Sequence, residues 1–154
     1  MKLDIGCGKN KTAGYVGIDI ASIPEVDYVM NIDTLMLPCN DNTVDEIKCH
    51  HTLEHCVNII HIMNEFYRVC KNDSMIDIVI PYGTTPRWVQ DPTHKTCFNE
   101  FTFPKYLANN DYTKIFSDYG LKANFEIIDQ YIMGKEFNKL DLYVKLKVIK
   151  DGTD

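Results

Sequence analysis

Asp4, Gly6 and Gly8 stand at alternate positions near the beginning of the 154-residue chain, and Asp19 follows eleven residues after Gly8. Two glycines one residue apart let the backbone turn sharply and let a ligand approach with no Cβ in the way. Asp19 closes a second apolar run, Tyr15-Val16-Gly17-Ile18, where a carboxylate can accept hydrogen bonds from two ribose hydroxyls. The chemistry implied is nucleotide binding at the carboxyl ends of parallel strands. A second group of reactive side chains is His51-x-x-Glu54-His55, with His94 further on beside Asp91. An imidazole titrates near neutral pH, which makes His94 the candidate general base; the alternative is a loop histidine that fixes its own segment. Nitrogen ligands at 51, 55 and 94 would suit zinc better than magnesium. Equally, Glu54-His55 can be a structural turn and helix start, and no metal is assigned. The spacing also matches an inverted zinc-peptidase motif, but it lies directly after a strand in a nucleotide-binding layout, which argues against a peptidase.

These residues need elements to hold them. Residues 1–5 and 15–19 read as two short buried strands. The nine residues between them are too few for a full crossover helix, which takes at least about 10–12 residues. Either the helix shrinks to about one turn or a loop replaces it. Residues 26–30 form a third strand, Asn40-Asp41-Asn42 a turn, and residues 44–49 a fourth strand. Ile59, Ile62, Met63, Phe66 and Cys70 recur at helical spacing and supply an apolar face for the sheet. Asn72-Asp73 ends that helix, and residues 75–80 are a buried strand stopped by Pro81. Residues 82–104 are irregular and aromatic, the pattern of a lid or binding loop. A weak helix over about 112–119 ends at Gly120. Two strands, 125–132 and 140–148, then form an antiparallel hairpin; alternation in the second sends one of its faces to water.

The whole chain, 1–154, reads as one domain of ordinary size, with 45% hydrophobic and 25% charged residues. No apolar run reaches the ~20 residues that span a bilayer, and the first strand begins at once, leaving no room for a signal peptide. Six cysteines without a Cys-x-x-Cys pair fit reduced thiols in a cytoplasmic protein. A net charge of −6 disfavours non-specific binding to a nucleic-acid backbone.

The type of nucleotide follows by exclusion. A dinucleotide fingerprint needs a third glycine where this chain has Lys11, and a phosphate-binding loop needs Gly-Lys-Ser/Thr where it has Gly8-Lys9-Asn10. An adenosine-type ligand without a phosphate chain remains. Here Leu3-Asp4-Ile5-Gly6-Cys7-Gly8, Gly17-Ile18-Asp19, Asp33 with Leu37-Pro38, Val44-Asp45-Glu46-Ile47 with Leu53-Glu54-His55, and Glu65-x-x-Arg68-Val69 through Pro81 together resemble the class I S-adenosylmethionine (SAM)-dependent methyltransferases. The resemblance covers roughly residues 2–81 and is looser beyond. It implies an α/β fold: a Rossmann-like, mostly parallel sheet with an antiparallel last strand, here with reduced helices.

By that resemblance SAM is the cofactor, and methyl transfer to an unidentified acceptor is the reaction. Asp4, Gly6 and Gly8 would shape the methionine side of the pocket, Asp19 would hold the ribose, and Ile20 would lie against the adenine. Asp33 and Thr34 would flank the adenine edge, and His50 would line the methionine portion. The family's helices ahead of the first strand are missing, so the pocket would be covered by residues 82–104, by a second copy or by a partner subunit. Two rival readings are a SAM-binding, catalytically degenerate subunit that acts with a partner protein, and a nicotinamide-dependent dehydrogenase.

Overall fold

The computed structural model describes residues 1–83, 85–108 and 115–150. Seven strands form one sheet: β1 (Lys2–Ile5), β2 (Val16–Asp19), β3 (Tyr28–Val29), β4 (Val44–His50), β5 (Cys70–Pro81), β6 (Phe125–Met133) and β7 (Asp141–Val148). Their order is β3-β2-β1-β4-β5-β7-β6. β1 to β5 pair in parallel, whereas β7 runs antiparallel between β5 and β6. The chain therefore moves outward from β1 to β3 and then returns to the other side of β1. A parallel sheet opens a crevice at the carboxyl ends of its strands where the winding reverses, here between β1 and β4.

Alternation along the strands divides the sheet's two faces. Leu3 and Ile5, Ile47 and Cys49, Ile76, Ile78 and Ile80, and Leu142, Val144 and Leu146 point to one side and are buried. Helix α1 (Ile59–Val69) covers that side with Ile62, Met63 and Phe66, as the helical spacing predicts. The opposite side is polar. Lys2 pairs with Glu46, Tyr15 donates to Glu46 at 2.5 Å, Lys48 donates to Thr12 at 2.7 Å, and Tyr143 donates to Asp77 at 2.8 Å. A face dressed with salt bridges and hydroxyls can meet water without a covering helix layer.

Several boundaries differ from the sequence reading. Between β1 and β2 the connection is a single 3-10 turn, Gly8–Asn10, which is the shrunken-helix alternative. The third strand is only two residues long, because Val26 N–H already closes a turn on the Ile23 carbonyl. β5 begins at Cys70 rather than Met75: Asn72-Asp73 lies within the strand, where Asp73 takes a φ of 63° and the register against β4 shifts. Residues 82–104 hold a short helix α2 (Pro86–Val89), and a π-helical turn spans Phe103–Leu107. Phe98 and Phe103 stack at 6.0 Å and are buried, so both serve packing. Of the weak helix over 112–119, residues 112–114 lie outside the described residues; the remainder is helical and ends at Gly120. The six cysteines are free thiols, and among the described residues no helix is long and apolar enough to cross a membrane.

The Glu65-x-x-Arg68 pair clamps the 37–41 segment onto α1. Arg68 donates to Glu65 at 2.7 and 2.9 Å, to the carbonyls of Leu37 and Cys39 at 3.1 and 2.9 Å, and to Asp41 at 2.7 Å. Leu37 N–H closes the clamp on Glu65 at 2.8 Å. Burial alone would raise the Glu65 carboxyl; the Arg68 bonds and then the Leu37 amide outweigh it and hold the group below its usual value. A carboxyl depressed on folding adds stability above its unfolded pKa, about 4.3, and that contribution is lost as pH falls through the folded value. The expected result is a urea midpoint that drops below about pH 4 in the native chain. In Glu65→Gln that acid limb should flatten; an unchanged limb would assign it to other carboxylates.

Candidate functional site

The crevice at the β1–β4 reversal holds a cavity of about 620 Å³. Its lining comes from the turn after β1 (Gly6), the end of β2 (Ile18, Asp19 and Ile20), the segment Met30 to Asp33, the turn after β4 (His51, Thr52, His55 and Cys56), and Pro92, Thr93 and Lys95. Apolar side chains (Ile18, Ile20, Met30 and Ile32) share this lining with carboxylates, imidazoles, hydroxyls and an ammonium.

Asp19 terminates β2, and its two carboxylate oxygens are set by the backbone on either side. Oδ2 accepts Gly8 N–H and Oδ1 accepts Ala21 N–H, each at 2.8 Å. Each oxygen keeps a lone pair for a ligand hydroxyl. Ile20, 70% exposed, lies open beside it as a flat apolar surface. The glycine turn itself offers little to an anion: Gly6 N–H donates to the Ile18 carbonyl at 2.7 Å, and Gly8 N–H is spent on Asp19. A phosphate site needs such N–H groups free and convergent. With its N–H donors spent and a carboxylate presented, the turn fits ligand hydroxyls and not a pyrophosphate.

Other predicted residues sit around this core in different ways. Asp4 is 4% exposed and accepts Thr12 N–H at 2.7 Å, which fastens the turn after β1 from beneath. Asp33 lines the cavity, but its carboxylate accepts the N–H groups of Val57 and Asn58 at 2.7 to 3.1 Å, where α1 begins. A carboxylate there satisfies backbone donors that the helix leaves unpaired and complements its dipole. Gly8, Thr34, His50 and His94 are not among the lining residues. His50, at the end of β4, has a buried Nε2 with no partner; burial, then Lys48 and His51, lowers its pKa.

His94 lies behind the wall, its side chain 6% exposed. Its Nδ1 is 2.7 Å from the Trp88 carbonyl, and its ring centroid is 4.8 Å from that of His55, which does face the cavity. The 91–96 segment is bound to the turn after β4: Lys95 N–H and Thr96 N–H both donate to the Glu54 carbonyl, at 2.7 and 3.1 Å, and the Thr96 hydroxyl donates to the Cys56 carbonyl at 2.5 Å. Residues 92–95 thus form one wall of the cavity. Sequence reasoning missed Thr52, Cys56, Thr93 and Lys95 as lining residues. Thr52 had a readable signal, because it is the first small hydroxyl residue after a strand that flanks the glycine turn.

A family model described as a methyltransferase domain matches residues 3–78. No curated protein matches the sequence. Among solved structures, the YcgJ protein from Bacillus subtilis is 14% identical, with a TM-score of 0.65 over 98% of this chain and 92% of that one. A chain of the Haloferax volcanii complex that contains the Trm112 methyltransferase activator is 12% identical, with a TM-score of 0.64 over 97% and 82%. The Burkholderia thailandensis 1,6-didemethyltoxoflavin-N1-methyltransferase, solved with S-adenosylhomocysteine, is 13% identical, with a TM-score of 0.64 over 97% and 71%. Residues 3–78, from β1 into β5, match a methyltransferase-domain family, and the whole chain, with its antiparallel β7, has the fold of these solved structures.

Proposed function

We propose that the chain binds SAM in the cavity between Asp19 and Thr93 and transfers its methyl group to an acceptor that enters beside His51, His55 and Lys95. The observation that carries this reading is the Asp19 carboxylate, with both oxygens aimed by backbone N–H groups beside the open face of Ile20. SAM supplies a methyl carbon already activated by a sulfonium. The protein's task is then to position two partners and exclude water, which can provide most of the acceleration.

In this reading Asp19 binds the ribose diol, while Ile20, Met30 and Ile32 hold the adenine between apolar surfaces. Gly6 and Gly8 shape the turn, Asp4 keeps that turn in place through Thr12, and Asp33 and Thr34 border the adenine pocket. His50 closes the floor below the methionine portion. An acceptor that must lose a proton meets His51 and His55 first; His94 acts as a positioning residue through its edge contact with His55.

Calorimetric titration with SAM and with NAD, followed by a transfer assay against small-molecule, peptide and nucleic-acid acceptors, tests the reading. SAM binding with turnover is expected; NAD binding without SAM binding would replace it with the dehydrogenase reading. A second reading, in which the chain binds SAM but needs a partner subunit for transfer, is favoured by the exposure of Ile20 and by the likeness to a chain of an activator complex. Tight SAM binding with no turnover by the chain alone, and turnover once a partner is added, would select it.

A further inference from the structure

Beside the acceptor end of the cavity, Glu54, His55 and His94 converge so that one ligand atom from each lies within 4.8 Å of the others. Glu54 is 1% exposed, and its Oε2 has no hydrogen-bond partner. A carboxylate buried without a partner is costly and demands a compensating charge.

The hydrogen bonds of the two imidazoles fix where their lone pairs lie. The Trp88 carbonyl can only accept, so His94 Nδ1 carries the proton at 2.7 Å from it. The Thr93 hydroxyl donates to Asp91 Oδ1 at 2.7 Å, which leaves Thr93 Oγ1 to accept from His55 Nδ1 at 2.9 Å. With Nδ1 as the donor in each ring, Nε2 is the nitrogen left to offer a lone pair to a metal. His55 Nε2 lies 4.0 Å from Glu54 Oε1, and Asp91 Oδ2 adds negative charge 3.8 Å from His94 Nε2. A ring Nδ1–H held by a carbonyl or hydroxyl while Nε2 faces a carboxylate is the outer arrangement of metal-ligating histidines.

The geometry points to a transition-metal site, of the zinc class, formed by the Glu54 carboxylate and the Nε2 atoms of His55 and His94. Two imidazoles and one carboxylate are a donor set that zinc accepts while keeping a fourth position open. Ligand atoms that share a zinc at about 2.0–2.1 Å lie about 3.3 Å apart, so pairs now within 4.8 Å close by up to about 1.5 Å on binding. The backbone is already fastened for this: Lys95 N–H and Thr96 N–H join the His94 segment to the Glu54 carbonyl, and Trp88 Nε1 closes the 88–96 loop by donating to the Thr96 carbonyl at 3.0 Å. Because His55 faces the cavity, the open position lies on the acceptor side. That consequence rests on the methyl-transfer reading, whereas metal binding does not.

The test is metal content and affinity, measured on the full chain without SAM. After zinc loading and dialysis, elemental analysis should find about one zinc per chain, and cobalt(II) loading should give the visible bands of a four-coordinate ion. Glu54→Gln and His94→Gln should abolish stoichiometric binding, Thr93→Val should weaken it roughly tenfold by freeing His55 Nδ1, and His61→Gln should leave it unchanged. Circular dichroism checks that each variant is folded. Should the Glu54 or His94 variant fail to fold, histidine nitrogen shifts of the native chain on zinc addition give the answer: His55 and His94 Nε2 should move. Absence of zinc binding, histidine shifts confined to other residues, or equal affinity in folded Glu54→Gln and His94→Gln would overturn the site. Zinc binding that survives loss of SAM binding in Asp19→Ala separates this result from the proposed function.

Discussion

Asp19→Ala should cost SAM about 3 kcal/mol of binding, the scale for losing two hydrogen bonds to a charged acceptor, or roughly a hundredfold in Kd. The carboxylate at the end of β2 has one oxygen on Gly8 N–H and the other on Ala21 N–H. Its remaining lone pairs lie toward the cavity beside Ile20. Removing it would delete both proposed ribose contacts and free two backbone donors that hold the turn, so the variant should lose affinity and orientation together. Asp19→Asn keeps one acceptor oxygen and should lose about half as much on the same scale. Calorimetry with SAM on chains shown by circular dichroism to be folded decides the matter; unchanged affinity in Asp19→Ala would move the ribose elsewhere.

The parts of the fold that sequence reveals are those governed by short-range periodicity. Apolar spacing from Ile59 to Phe66 specifies α1, and the runs ending at Ile5, Ile18, Cys49 and Ile80 specify the parallel strands. Alternation in β7 announces a sheet face that meets water, and the structure carries the same polarity across β1, β4 and β5 through Lys2, Glu46, Lys48 and Asp77. Boundaries are less legible where pairing overrides local preference. Asn72-Asp73 has turn chemistry, yet Cys70 pairs with Val44 before it and Met75 with Glu46 after it, so the segment stays within β5 as a register shift with Asp73 in a left-handed conformation.

Residues near the glycine turn were readable because their neighbours in sequence are also neighbours in space. Asp19 and Gly8 are eleven positions apart and hydrogen bonded. The far wall was not readable in the same way. Thr93 and Lys95 reach the cavity only because Lys95 and Thr96 N–H groups close on the Glu54 carbonyl, a pairing across about forty residues that no local pattern encodes. Asp33 illustrates the reverse case. Its residue type and position suit a ligand contact, yet the start of α1 needs a carboxylate, and the Val57 and Asn58 N–H groups take it.

Gly6→Ala should be the most damaging small substitution in the turn, and its cost should come from Thr52 rather than from the ligand. A Cβ at Gly6 would stand 1.9 Å from Thr52 Oγ1 and 2.8 Å from Thr52 Cβ. The Thr52 hydroxyl cannot easily withdraw, since it lies 3.1 Å from both the Ile5 and the His50 carbonyl oxygens. Overpacking of this kind costs ~1–3 kcal/mol, and the φ of +69° at Gly6 adds the left-handed penalty of ~1–2 kcal/mol for a residue with a Cβ. Gly8 separates the two contributions. Its φ is +48°, but nothing lies within 4 Å of an added Cβ, so Gly8→Ala should show only the backbone penalty. Urea denaturation of Gly6→Ala, Gly8→Ala and the double variant Gly6→Ala/Thr52→Gly tests the division. Removing the Thr52 side chain should recover ~1–3 kcal/mol of the Gly6→Ala loss as a coupling energy between the two sites. Equal costs at Gly6 and Gly8 with no coupling to Thr52 would reject the steric account. A Gly6→Ala chain of native stability that loses only SAM would instead mean that this glycine makes room for the cofactor.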